Sequence, residues 1–385
     1  MLFENAPITR QGLKHLRART GIELRIHPHN TQVTLDGIRH FVRSIGDPNP
    51  LWSDPGYAAR SPYGSIVAPP SYLYTIVHPS GALAGGLPGV HSLLGGNDWE
   101  FHRPLLLGDR IHARARLVDV AEKASAFAGR AIVVTTETDY FNQRQELVAH
   151  ARGWSFRVQR GAVIASGKYK AYKPPQYTAE EVRAIEDSCL AEQARGAAPR
   201  YWEDTTEGES LGSVVKGPLT FEDAEAYVAS TLGLPAYARL TDKIDRHPAW
   251  ACKNPATGLP EPVTRVNFYD YAAQAVGMPR AYDLGSQRIC WLIHLLTNWA
   301  GDTGTLTRLR VDLRLPNFHG DTTWCTGAVE RKYVKDDRHL VECAVRCENQ
   351  RQETTATGQA IIALSSRQVQ RQSCRSPSFS SLRRI

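Results

Sequence analysis

Pro104-Leu105-Leu106-Leu107-Gly108-Asp109 leads into the alternating segment Ile111-His112-Ala113-Arg114-Ala115-Arg116-Leu117. In the second half of the chain, Pro316-Asn317-Phe318-His319-Gly320-Asp321 leads into Thr323-Trp324-Cys325-Thr326-Gly327-Ala328-Val329. Proline presets one turn dihedral, and glycine and aspartate complete the turn. Residues that alternate between polar and apolar form a strand with one buried face. The same turn before the same kind of strand, twice, points to a duplicated plan. Upstream of each copy lies a segment that is apolar nearly all round, residues 71–77 and 287–296. Such a helix belongs inside a core, because it has no polar face to offer water.

Further strand-like runs come after each turn: residues 131–140 and 146–156 in the first half, 340–346 and 357–364 in the second. Turn residues separate them, as an antiparallel meander requires. One buried helix with several antiparallel strands makes an α+β unit in which the sheet wraps the helix. The expected layout is a first unit over residues 1–174, a connector over 175–198, a second unit over 199–366 and a disordered basic tail over 367–385. Lys173-Pro174-Pro175 closes the first unit, residues 180–194 read as a charged helix, and Arg195-Gly196-Ala197-Ala198-Pro199 ends it.

Composition narrows the function classes. A chain of 385 residues with 42% hydrophobic and 22% charged content fits two moderate globular domains. No apolar run approaches the roughly 18 residues of a membrane span, and the first residues lack a signal pattern, so the cytoplasm is the expected compartment. Five arginines in the tail supply five of the seven net positive charges, leaving the folded part nearly balanced. With no aromatic-rich basic stripe, nucleic acid is not an expected partner. The seven cysteines contain no Cys-x-x-Cys pair and read as reduced; Cys343 and Cys347 would share one buried strand face. Neither a phosphate loop, a His-Glu-x-x-His nor a Gly-x-Ser-x-Gly elbow occurs, and residues 81–89 read as a flexible glycine-rich loop, so no metal or cofactor is expected.

Gly46-Asp47-Pro48-Asn49-Pro50-Leu51-Trp52 places a carboxylate and a carboxamide on one short turn, a pairing suited to holding and deprotonating water. By itself it is equally an Asx-Pro turn beside a helix. Together with Ile66-Val67-Ala68-Pro69-Pro70-Ser71, Trp99-Glu100-Phe101-His102-Arg103-Pro104, Arg265-Val266-Asn267-Phe268-Tyr269 and Gly277-Met278-Pro279-Arg280-Ala281-Tyr282-Asp283-Leu284-Gly285, it makes residues 10–365 resemble the MaoC-like double-hotdog hydratases and dehydratases, with a fatty-acid-synthase-type dehydratase domain first. The resemblance implies two hotdog units joined in one sheet, a coenzyme A or acyl-carrier-protein thioester as substrate, and a homodimer. It also implies an Asp and a His around a catalytic water, with helix-terminal N–H groups at the thioester carbonyl.

The pattern breaks at the histidine. The two positions where the family places it hold Trp52 and Asn267, and neither side chain carries a proton in neutral water. Asp47, Asn49, Asn267 and Gly285 are therefore the expected catalytic group, with Trp52, Tyr63, Ser71, Tyr269 and Tyr282 against the substrate. Three readings stand: a hydratase working through Asp47, an enzyme repurposed for conjugate addition or cyclisation on a polyketide-like substrate, and a non-catalytic acyl-binding subunit. His91 and His102 read as satisfied histidines, in a loop and at a strand entry; His294 and His319 are the substitutes to examine first.

Overall fold

The structure is a computed structural model that describes residues 6–233, 244–245 and 248–368. Ten strands form one antiparallel sheet: β1 (Glu23–Leu24), β2 (His91–Phe101), β3 (His112–Ser125), β4 (Gly129–Phe141), β5 (Leu147–Val158), β6 (Ser210–Lys216), β7 (Thr305–Leu313), β8 (Thr323–Lys335), β9 (Arg338–Asn349) and β10 (Thr354–Ala363). Their spatial order is β1-β3-β4-β5-β2-β7-β10-β9-β8-β6, so the two halves of the chain meet where β2 pairs β7. The register there runs from Arg308 opposite Glu100 to Asp312 opposite Gly96, and the Arg308 fork grips Asp98 at 3.0 and 2.7 Å.

Three α-helices shape the interior: α1 (Leu35–Ile45), α2 (Phe221–Thr231) and α3 (Ser286–Ala300). α3 is the buried helix of the second unit, enclosed in every residue but Thr297. Ile289, Leu292, Ile293, Leu295 and Leu296 are each at most 1% exposed, and full burial of such a side chain is worth roughly 1.5–3 kcal/mol. The sheet of the second unit wraps this helix. α1 and α2 occupy matching places in the two units, pack on each other, and each starts with a threonine cap, Thr34 and Thr220.

The first unit differs at its centre. The segment expected to be a full helix is a 3₁₀ run, Pro70–Thr75. Pro69 and Pro70 remove two backbone donors at its start, and Pro79 disfavours helical geometry at His78, so the run has no room to propagate. Side-chain bonds tie it to the seam instead: Tyr74 Oη donates to Asn97 Oδ1 at 2.7 Å, Trp99 Nε1 donates to Tyr74 Oη at 3.0 Å, and Asn97 Nδ2 donates to Pro79 O at 2.6 Å.

A second difference lies in β2. His91 does not sit in a loop; it opens an eleven-residue strand that forms the seam. Gly95 and Gly96 fit the strand to its neighbours. A Cβ at Gly95 would lie 2.5 Å from Trp154 Cδ1, and one at Gly96 would lie 2.1 Å from the Val311 carbonyl oxygen. The register also shifts between Leu94 and Gly96, as at a bulge. Cys343 and Cys347 are both fully buried on β9, and Cys347 Sγ lies 3.6 Å from Cys325 Sγ on β8 as a free thiol. Of the basic tail, only Arg367 and Gln368 fall among the described residues; Arg367 pairs with Asp204, and the remainder of that expectation lies outside them.

Candidate functional site

α1 ends at Gly46, whose left-handed φ of 65° turns the chain directly into Asp47. The carboxylate is 4% exposed and its two oxygens are both engaged: Oδ1 accepts the Asn49 backbone N–H at 3.1 Å, and Oδ2 accepts the Trp52 indole N–H at 3.0 Å. Asn49 caps the short turn Pro50–Trp52 by accepting the Leu51 N–H at 3.0 Å. Trp52 thus stands over Asp47 as a pure donor, where a histidine could both donate and accept.

His294, on α3, reaches the same group from the other unit. Its Nε2 lies 3.5 Å from Asp47 Oδ1 and 2.7 Å from Glu192 Oε1. Neither ring nitrogen makes an aligned hydrogen bond, so these are close contacts and not directed bonds. Glu192, from the connector, also accepts from Asn298 Nδ2 at 3.0 Å and lies 3.7 Å from Lys216 Nζ, which in turn donates to Gly46 O at 2.6 Å. Burial pushes the Glu192 carboxyl up, but His294, Lys216 and Asn298 outweigh it and hold the group below the usual range. The result is a closed polar network that stitches both units and the connector.

The cavity lies elsewhere. It has a volume of about 1550 Å³ and takes walls from both units. Asn267, Tyr282 and Gly285 line it, as does His91; Asp47 and Asn49 do not. Gly285 is the N-cap of α3 and brings no capping side chain, so the positive end of a buried helix faces the cavity. A Cβ at Gly285 would meet Leu313 Cδ1 at 2.5 Å, so a larger residue there would displace the end of that leucine from the cavity wall. Asn267 braces this helix start, its Nδ2 donating to the carbonyls of Tyr282 and Asp283 at 2.9 and 3.3 Å, while His319 Nε2 donates to the Asn267 carbonyl at 3.0 Å. Burial lowers the His319 pKa, against a smaller opposing effect from that carbonyl. Asp283 is held by Arg288 at 2.6 Å.

Across the cavity wall His91 Nε2 and Tyr282 Oη are 2.7 Å apart, both buried. Burial, with Arg160 and Arg157 nearby, pushes His91 down to about 3. Burial, with Asp283 nearby, pushes the Tyr282 phenol well up. Both are uncharged in neutral water. Among the described residues, the cavity carries the side chains of Arg25, Arg157, Arg160, Lys168, Arg288 and Arg314 against the single carboxylate Asp283.

The remaining expected residues disperse. Trp52 stays with Asp47. Ser71 is buried at the start of the 3₁₀ run, its hydroxyl unbonded among the described residues. Tyr63 packs against the main core beside Asp302, and Tyr269 is 38% exposed, stacked on Tyr271. His91 and Arg157 are the cavity residues that sequence reading missed. The only local signal was an arginine pair, Arg157 and Arg160, closing a strand, and that pattern is common on protein surfaces. Among the described residues no three His, Cys, Asp or Glu side chains cluster as metal ligands, and no helix is long and apolar enough to cross a membrane.

Two units in which an antiparallel sheet curls round a central segment, sharing one sheet and one cavity, define a double hotdog. Residues 18–151 match the family model of the FAS1-like dehydratase domain region. A UPF0336 protein of Parafrankia sp. (strain EAN1pec) is 33% identical over 135 residues, 34% of this chain and 85% of that protein. A "probable enoyl-CoA hydratase alpha subunit" of Thermomonospora curvata is 30% identical over 138 residues, 31% of this chain and 43% of that protein. A solved MaoC-like dehydratase superposes with a TM-score of 0.64 at 17% identity, covering 91% of this chain and 99% of that one. The chain belongs to the family of the UPF0336 proteins over the matched region, and its fold is that of the MaoC-like double hotdogs.

Proposed function

We propose that the protein hydrates or dehydrates an acyl thioester of coenzyme A or of an acyl carrier protein, and that it does so in the cavity at the start of α3. The observation that carries this reading is the uncapped end of a buried helix opening onto a large, electropositive cavity. Helix-terminal N–H groups stabilise the enolate oxygen that develops when a conjugated thioester is attacked. Water then adds across the double bond, oxygen to Cβ and a proton to Cα; the reverse step eliminates it. The His91 imidazole and the Tyr282 phenol, 2.7 Å apart, are the acceptor and donor at this wall. Burial disfavours the charged form of each, so in this reading the proton is passed on in the same step that water adds. The exposed Arg25, Lys168 and Arg314 suit the phosphates of the carrier.

A second reading rests on the 3.5 Å approach of His294 to Asp47, a carboxylate–imidazole pair built from both units. In that reading Glu192 withdraws to admit substrate. The experiment is to follow the absorbance of the conjugated bond in short 2-enoyl and 3-hydroxyacyl coenzyme A thioesters, with Asp47→Asn and His91→Gln beside the parent protein. The cavity reading expects turnover that falls about 10²- to 10⁴-fold in His91→Gln and survives in Asp47→Asn. The reverse pattern installs the Asp47–His294 pair, and no turnover of any thioester removes the hydratase reading.

A further inference from the structure

We propose that the inner wall of the cavity holds a carboxylate pocket centred on Arg157, and that the acyl group carried by the thioester ends in a free carboxylate. This rests on the thioester reading for the nature of the substrate, but the pocket itself is read from the cavity wall.

Arg157, at the end of β5, is 7% exposed and lines the cavity. Its Nη2 reaches only backbone carbonyls, those of Gly81, Ala82 and Gly85 at 3.2, 3.4 and 3.5 Å. Its Nε is buried with no hydrogen-bond partner, and among the described residues no carboxylate lies within ion-pair distance. Carbonyl dipoles orient a guanidinium but bring no net charge. Burial moves it down to about 10, so it keeps its proton in neutral water. A buried cation with no counter-ion is costly, and breaking such a pair in other proteins costs several kcal/mol. An anion entering from the cavity supplies the missing charge.

The neighbours agree. Arg160 acts on the same His91, which stays neutral between the two arginines, and the one carboxylate among the described wall residues is already taken by Arg288. The loop carbonyls engage only Nη2, leaving the three N–H directions on Nε and Nη1, which match the two oxygens of a carboxylate. The position also separates a carboxylate from a phosphate. The rim cations are exposed and suit well-hydrated phosphates, whereas Arg157 is buried on the sheet face toward the loop of residues 81–85, where a small, largely desolvated anion fits.

The test uses saturated thioesters, which bind without reacting: glutaryl-coenzyme A against pentanoyl-coenzyme A, titrated into the full chain by calorimetry. The expected result is at least about tenfold tighter binding of the glutaryl thioester, a difference of about 1.4 kcal/mol. The preference should persist at high salt, which screens rim charges but not a buried one. Arg157→Met should bring the two affinities together, and Arg157→Lys should restore part of the gap. Because Arg157 also steadies the loop at residues 81–85, the comparison within the parent protein stands without the variants. Equal affinities, a preference that salt abolishes, or one that Arg157→Met retains would each overturn the pocket. A retained preference with no enoyl turnover would leave the pocket and remove hydration; enoyl turnover without preference would do the opposite.

Discussion

Trp52 changes what the Asp47 carboxylate can do. An indole N–H pins one oxygen and the Asn49 amide pins the other, so the carboxylate is held in one orientation with one acceptor site left on each oxygen. His91 is in the opposite condition: a buried ring with one hydrogen bond and a cavity beside it. Its displacement gives a pH signature. The folded-state value of about 3 lies below the unfolded value of 6.5, so the unfolded chain binds the proton first. The stability this group contributes is fully present above pH 6.5 and drains away as the pH falls toward 3. The urea midpoint of the parent protein should therefore decline below pH 6.5. His91→Gln, which can keep a bond to Tyr282, should flatten that part of the profile while the midpoint at pH 8 changes little. An unchanged slope in the variant would show that His91 is not held neutral by the fold.

Among the elements, β2 and α3 decide where the cavity forms. β2 carries His91 at one end and the seam register at the other, and its two glycines let it lie against Trp154 and Val311. Gly96→Ala should force the Cβ against a backbone oxygen that cannot rotate away. Overpacking of this kind typically costs about 1–3 kcal/mol, and the clash falls on the pairing that joins the halves. Thermal unfolding should show a loss of several degrees; an unshifted transition would mean that the seam has slack. α3 shows why a helix is retained in one unit and lost in the other. Its start is a glycine braced by Asn267, whereas the first unit's segment begins with two prolines and ends before a third.

For the molecule as a unit, neither half has a complete surface. Separating them would expose the hydrogen-bonding edge of β2 with the Trp99 side, and the edge of β7 with α3 beneath it. An unpaired edge of that length is a template for association. A fragment ending at residue 174 should run as a dimer or aggregate in size exclusion, not as a monomer. A stable, monomeric fragment would show that the first unit closes on itself. The connector adds a second tie, since Glu192 meets His294 and Lys216 of the second unit beside Gly46 and Asp47 of the first.

Features that rest on local pattern were legible in the residues alone. The doubled Pro-x-x-x-Gly-Asp turn, the alternating strands after it, the apolar run that became α3 and the capped connector helix Ala179–Leu190 could be read because turn chemistry and side-chain period act within a few residues. The doubling pointed to two α+β units; that their sheets join into one was what the family resemblance implied. Gly95-Gly96 hid β2, because what makes glycine right there is Trp154 and Val311, residues distant in the chain. The same limit hid the cavity. His91 and Tyr282 stand 191 residues apart, and only the pairing of β2 with β7 brings the first to the helix start that carries the second. Asp47 was found by its motif, but its surroundings were not: its burial, and the histidine that faces it from α3, exist only once the two units share one sheet and the connector closes over them.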